Sequence, residues 1–238
     1  MDRALPSGGR GGRFESCISR IFSVSAIQMN KQNTNQPKLI LASGSAYRKQ
    51  VLESLNLEFE TIVSEADESF ADKFPCEERP EKIARAKAEA VHAKIQQLPP
   101  EQRQKYSSAL IIAADTLLMM NGKSYGKPHG IAEAAAFLEA FSGKTHYAVT
   151  AIVVFNMQTK TYSSVKNKTA VTFKKLCIEE IDAYLESGEW QGAAGGYRMQ
   201  GLGACFITKI EGSPSCVAGL PISDFYDILW SQHYSILG

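Results

Sequence analysis

Six consecutive apolar residues, Ala109-Leu110-Ile111-Ile112-Ala113-Ala114, end abruptly at Asp115-Thr116. An unbroken apolar run has no wet face, so as a strand it must be covered on both sides, which is the situation of a central strand in a layered α/β protein. A carboxylate at the end of such a strand is held rigidly where the sheet opens to a crevice; the plainer use of Asp115 is as a cap of a turn or helix. A second apolar run, Leu39-Ile40-Leu41, breaks at Ala42-Ser43-Gly44-Ser45 and continues as Ala46-Tyr47-Arg48-Lys49. This pattern predicts strand, tight turn and helix. Such a turn brings backbone N–H groups and the Ser43 and Ser45 hydroxyls together with Arg48 and Lys49 beside them, the outline of a phosphate site. A serine-capped strand followed by two solvated cations is the alternative.

Elsewhere the pattern predicts a helix over 48–55, a strand over 57–63 and a helix over 79–98 opened by Pro80 and closed by Pro99-Pro100. On the last helix Ile83, Lys87, Val91 and Ile95 recur every four residues, so Lys87 lies in line with apolar side chains and must meet an anion or snorkel outward. Glu65, Asp67 and Glu68 crowd one turn, and such carboxylates repel one another unless solvated or gathered round a divalent cation. Asn121-Gly122 predicts a hairpin with a type I′ turn that returns Lys127-Pro128 towards Asp115.

A helix over 131–141 stopped by Gly143, two β arms over 146–157 and 161–174, a helix over 179–187, a strand over 205–210 and a helix closing at Trp230 complete the expected elements. Ser142-Gly143-Lys144-Thr145 is not a P-loop, because Leu138 occupies the first glycine position and the segment follows a helix instead of opening one. Residues 188–203 hold too many glycines for a regular element, and Trp190, Tyr197 and Gln200 among them predict a base-recognition loop; a mobile connector is the alternative.

With 44% hydrophobic residues the 238-residue chain can bury a large core, and a formal net charge of +1 supplies no field for nucleic acid or an acidic membrane surface. Anion binding must therefore come from local clusters, and a small ligand is expected. Five widely spaced cysteines without a CxxC pair argue against a disulfide framework or a zinc site and fit a reducing compartment such as the cytoplasm. No apolar run reaches the roughly 20 residues of a membrane span. Residues 1–36 are read as a disordered N-terminal extension before a domain over 37–238: Arg3, Arg10, Arg13 and Arg20 face only Asp2 and Glu15, with Gly8-Gly9 and Gly11-Gly12 between. That composition suits an organelle transit peptide and equally a flexible extension without an address.

In this order, Leu41-Ala42-Ser43-Gly44-Ser45 through Arg48-Lys49, Ala114-Asp115-Thr116, Gly126-Lys127-Pro128, Leu138 to His146, Gly188-Glu189, Ala194-Gly195-Gly196-Tyr197, Gln200-Gly201 and Gly219-Leu220-Pro221 resemble the Maf-like nucleoside triphosphate pyrophosphatases. The resemblance covers about residues 38–229 and implies an elongated Maf/ITPase-like α/β fold, with a mixed curved sheet, flanking helices and a cleft between two lobes, often as a homodimer. It implies Asp115 as proton acceptor and Ser43, Arg48, Glu68, Lys87 and Lys127 as polar active-site groups. It also implies Mg²⁺ or Mn²⁺ near Glu68 and Asp115, and cleavage of a nucleoside triphosphate to monophosphate and pyrophosphate in cleansing the nucleotide pool.

Tyr47 stands where the dTTP/UTP branch usually carries arginine and looks like the 7-methyl-GTP branch, whereas Thr116 and Gln200 match the pyrimidine branch. Two positions against one favour dTTP and UTP. Ala193 stands where many relatives have lysine. A nucleotide-binding regulator of cell division without catalysis is the alternative of another class, and an RNA-binding module is disfavoured by the neutral charge.

Overall fold

The computed structural model describes residues 36–237, so the expectation of a disordered leader falls, but for Gln36, outside the described residues. Seven strands form one mixed sheet: β1 (Leu39–Leu41), β2 (Phe59–Thr61), β3 (Leu110–Met120), β4 (Lys123–Tyr125), β5 (Thr145–Asn156), β6 (Thr161–Phe173) and β7 (Ile207–Glu211). The spatial order is β2-β1-β3-β5-β6-β7, with β4 paired to β3 off this path. β1 runs parallel to both β2 and β3, and every other pair is antiparallel. The helices are α1 (Ala46–Ser54), α2 (Arg79–Gln96), α3 (Pro100–Gln104), α4 (Ile131–Phe141), α5 (Ile178–Glu186), α6 (Pro214–Ala218) and α7 (Ile222–Ser231). The result is the mixed α/β architecture expected from the sequence. Among the described residues no helix is long and apolar enough to cross a membrane.

The apolar run of β3 is buried on both faces, as its composition requires. Leu110, Ile112 and Ala114 pack with Val51 and Leu52 of α1 and Phe225 of α7, while Ile111 and Ala113 pack with Ala84, Ala88 and Val91 of α2. Period two on the strand and steps of four on the helix thus meet on one surface. A third cluster is centred on Phe141, Phe173, Leu138 and Tyr197 and takes in Leu118 and Tyr125 from the far end of β3 and from β4.

The sequence-based boundaries shift at particular places. β3 does not stop at Ala114 but runs through Asp115 and Thr116 to Met120, because β5 pairs with it continuously from Leu110↔Asn156 to Met119↔Tyr147. The turn at Asn121 (φ 53°) and Gly122 (φ 76°) joins β3 to β4 with the left-handed pair a type I′ turn needs. Cys205 belongs to a 3₁₀ turn over Leu202–Phe206 instead of opening β7. Two short helices, α3 and α6, each begin at or just after proline, where a missing N–H costs nothing.

Candidate active site

β3 outruns its parallel neighbour. On one edge it is paired with β5 throughout; on the other it is paired with β1 only over Leu110–Ile112 and with β4 only over Leu118–Met120. Between them lies a stretch of sheet edge without a partner strand, and Asp115 and Thr116 sit in it. The chain leaves β1 there, with Ala42 N–H donating the last bond to Ile112 O at 2.8 Å before the Ser43 turn. A parallel pair therefore gives way to an antiparallel one across this gap, the place where open α/β sheets form ligand crevices.

Adjacent side chains on a strand point to opposite faces, so Asp115 faces α2 and Thr116 faces α1. Lys87 Nζ meets Asp115 Oδ1 at 2.7 Å and Glu68 Oε1 at 2.9 Å. The lysine that lines up with Ile83, Val91 and Ile95 thus finds two anions where its row of apolar side chains reaches the crevice. Lys87 and Asp115 side chains are 13% and 14% exposed, whereas Glu68 is 51% exposed, so only the first two are substantially desolvated. Burial raises the Asp115 pKa above the usual aspartate value even though Lys87 and Arg48 pull it down, and Glu68 adds to the rise. Among the described residues Asp115 Oδ2 accepts no bond, which leaves one oxygen of an oriented carboxylate open to accept a proton.

On the other face, Arg48 is buried at the start of α1. Its Nε donates to Gly219 O (2.9 Å), one terminal nitrogen to Ser43 Oγ (3.1 Å) and the other to Thr116 Oγ1 (3.2 Å). All three acceptors are uncharged, and among the described residues no carboxylate lies within ion-pair distance. Burial lowers its pKa, and Asp115 and Glu68, acting through space, oppose this. A guanidinium wired to neutral oxygens carries positive charge that the protein has not neutralised locally, and removing it from water costs several kcal/mol in the absence of an anion. The Gly219 backbone has φ +109°, and a Cβ there would stand 3.3 Å from Thr116 Oγ1, so the glycine lets its carbonyl approach Arg48 closely.

The serine turn is largely self-satisfied. Ser45 caps α1 by accepting from Arg48 N–H (3.4 Å), and Ser43 Oγ accepts from Ser45 N–H (3.2 Å) as well as from Arg48. Ala46 and Tyr47 N–H groups remain without intrahelical acceptors, as the first turn of any helix leaves them. Lys49 does not join the cluster: it is exposed and pairs with Glu53 one helical turn away (3.8 Å). Tyr47 is half-buried against the cluster containing Leu39 and Phe225, and burial raises its pKa. Lys127 is exposed, without an ion pair among the described residues. The register Leu118↔Tyr125 points the chain after Tyr125 back along β3 towards the gap.

In the glycine-rich passage the structure turns Tyr197 inward, away from the ligand-facing role its aromatic character suggests. Trp190 donates to Leu185 O (3.0 Å) and packs on the third cluster, and Tyr197 is buried with its hydroxyl 2.8 Å from His146 Nε2. Tyr197 is core, and Trp190 is half-buried with its indole N–H satisfied by the chain. Gln200 is exposed, and no hydrogen bond among the described residues ties it to Arg48 or Asp115. Glu189 gathers the loop: its oxygens accept from Tyr184 OH (3.0 Å), Gly203 N–H (3.1 Å) and Leu202 N–H (2.8 Å). A Cβ on Gly201 would come within 2.2 Å of that carboxylate, which explains the glycine.

Sequence reasoning missed the Gly219 carbonyl, which accepts directly from Arg48, and Thr150 and the Cys216 carbonyl, which reach it through Thr116. The available signal was a lone hydroxyl within the apolar run of β5 and a glycine after a short helical segment.

Fold and site together define a mixed α/β protein in which a Lys87-held Asp115 carboxylate and an Arg48 guanidinium bonded to neutral oxygens lie on opposite faces of an unpaired stretch of β3. A model of the Maf-like protein family matches residues 38–232, and the chain belongs to that family. Its relatives include proteins named dTTP/UTP pyrophosphatase from Treponema denticola (37% identity over 84% of this chain and 99% of the relative), Desulforamulus reducens (37%, 80% and 94%) and Vibrio vulnificus (35%, 81% and 97%).

Proposed function

We propose that this chain is a dTTP/UTP pyrophosphatase that hydrolyses its substrate to nucleoside monophosphate and pyrophosphate. The observation that carries the reading is the pair of buried groups at the unpaired stretch of β3: Asp115 held by Lys87 through one oxygen on one face, and on the other Arg48 bonded only to neutral oxygens. The names of the relatives supply the substrate. Asp115 Oδ2 orients a water and takes its proton as the oxygen attacks the α-phosphorus. Burial brings its pKa up, which makes it a stronger base than an ordinary aspartate, and Lys87 opposes that rise. Bond formation at phosphorus expels pyrophosphate, whose charge Arg48, Lys87 and Lys127 take up.

Glu68 and Asp115 are hard oxygen donors, and each keeps one oxygen not engaged with Lys87. That suits Mg²⁺ or Mn²⁺, which commonly takes one or two carboxylates and completes its shell with water and phosphate oxygens. Among the described residues no third acidic, histidine or cysteine side chain completes a protein-only cage. When bound, such an ion would offset the triphosphate charge and polarise its oxygens. The homodimer and cytoplasmic residence belong to this proposal, the first supported by the resemblance to the family and the second by widely spaced cysteines without a CxxC pair.

Tyr47 is half-buried against the cluster containing Leu39 and Phe225, and the 7-methyl-GTP alternative requires its ring to stack on the base. The test is pyrophosphate release by the purified full chain with Mg²⁺ or Mn²⁺ across dTTP, UTP, CTP, GTP and 7-methyl-GTP. Preference for dTTP and UTP, lost in Asp115→Asn with nucleotide binding retained, is the expected result. Preference for 7-methyl-GTP overturns the substrate, and undiminished hydrolysis by Asp115→Asn overturns the mechanism.

A further inference from the structure

Thr150 is fully buried in β5, a hydroxyl among Ala148, Val149, Ala151 and Ile152. A buried hydroxyl must find partners, and this one lies 2.7 Å from Cys216 O and 2.9 Å from Thr116 Oγ1. The direction of the protons follows from the ends of the chain, because a carbonyl only accepts and a guanidinium only donates. The single proton of Thr150 goes to Cys216 O. The single proton of Thr116 then goes to Thr150, and Arg48 donates into the oxygen of Thr116 at 3.2 Å. Thr116 and Thr150 are direct cross-strand partners in the β3–β5 register, which fixes their approach. The backbone of residues 216–219 thus grips the guanidinium twice, once through Gly219 O and once through two hydroxyls ending at Cys216 O.

We propose that Thr150 is a positioning residue: it sets the rotamer of Thr116 and through it the plane of the Arg48 guanidinium. Residue 116 then acts on the nucleotide through Arg48, because its hydroxyl proton is already committed to Thr150 and is not free to donate to a base or phosphate. The proposal rests on the pyrophosphatase reading and assigns roles within that same site.

The test measures kcat and KM for dTTP and UTP with the full chain, comparing Thr150→Val, Thr150→Ser and Thr116→Val, each alone and combined with Arg48→Lys. Misplacing a charged group by a fraction of an ångström predicts a fall in kcat/KM of roughly 10- to 100-fold for Thr150→Val, and Thr150→Ser, which keeps the hydroxyl, restores most of it. Lysine lacks the planar fork that reaches Thr116, so in the Arg48→Lys background Thr150→Val adds no further loss. A purely structural role gives the opposite pattern, a loss that multiplies in both backgrounds and is not rescued by serine, and it overturns the proposal. So does wild-type kcat/KM in Thr150→Val alongside impaired Thr116→Val, which would place Thr116 directly on the nucleotide.

Urea denaturation establishes that each variant folds. Where Thr150→Val does not, Thr116→Val breaks the same chain from its other end: a loss that vanishes in the Arg48→Lys background supports the wiring, and one that persists overturns it. If the wild-type chain releases pyrophosphate from none of the nucleotides, the activity reading fails separately. The same comparison is then made on dTTP affinity by calorimetry, where background-independent effects again overturn the wiring.

Discussion

His146 has the most perturbed environment of any histidine among the described residues, and it yields a quantitative prediction. It is fully buried, stacked on Phe141 at 4.0 Å between ring centres and enclosed by Phe173 and Tyr197. Nε2 lies 2.8 Å from Tyr197 OH, and Nδ1 has no partner. Burial pushes its pKa down from 6.5 to about 3, so the folded protein holds the neutral ring while the unfolded chain binds a proton below 6.5. Stability from this residue is therefore complete above pH 6.5, is lost as pH falls, and reaches its floor near the folded pKa of about 3. At pH 5, well above the folded value, only the unfolded pKa matters, and the loss is about 2 kcal/mol relative to pH 7.5. The assay is urea denaturation of the full chain at both pH values, compared with His146→Gln, which keeps a polar partner for Tyr197 but does not titrate. Any constant cost of the substitution cancels in the pH difference. The wild type should lose about 2 kcal/mol more than the variant on going to pH 5. Equal losses would show that His146 accepts its proton in the folded state and would refute the burial argument.

Lys87→Met should lower kcat and also move the acidic limb of the pH–rate profile to higher pH, since Lys87 is the leading influence holding the Asp115 pKa down; an unshifted limb in the variant would exclude Asp115 as the titrating base. Gly219→Ala should cost about 1–2 kcal/mol in urea unfolding, because alanine at φ +109° is strained, and should reduce kcat/KM by crowding Thr116 and Arg48. Glu189→Ala removes the acceptor of two backbone N–H groups and of Tyr184 OH, and is expected to destabilise by about 1–3 kcal/mol and to quicken hydrogen exchange at Leu202 and Gly203; unchanged protection there would contradict its role in gathering the loop.

The expected site residues divide according to how local their reasons are. Lys87 was legible because its position in a row of buried residues is a property of one helix, and the row itself demanded an anion. Ser43 and Arg48 followed from one strand–turn–helix signature. Lys49 was included by the same signature, yet the helix turns it 100° from Arg48 and gives it Glu53 instead. Among the aromatic residues of 188–203, Tyr197 misled because a tyrosine reads the same in sequence whether it faces a ligand or a core, and burial alone separates the two.

By itself, then, the sequence determined the alternation of elements, the double-sided burial of β3, the I′ hairpin and the family's motifs. Each of these depends on side-chain period or backbone preference within a few residues. Only the tertiary structure decided that β1 stops short of Asp115, that β5 carries β3 past it, and that Arg48 is gripped by a carbonyl 171 positions away. Those outcomes depend on which strands pair and how far. Pairing is settled by the burial of the sheet as a whole, because a hydrogen bond between distant segments forms only after packing has repaid the entropy of bringing them together.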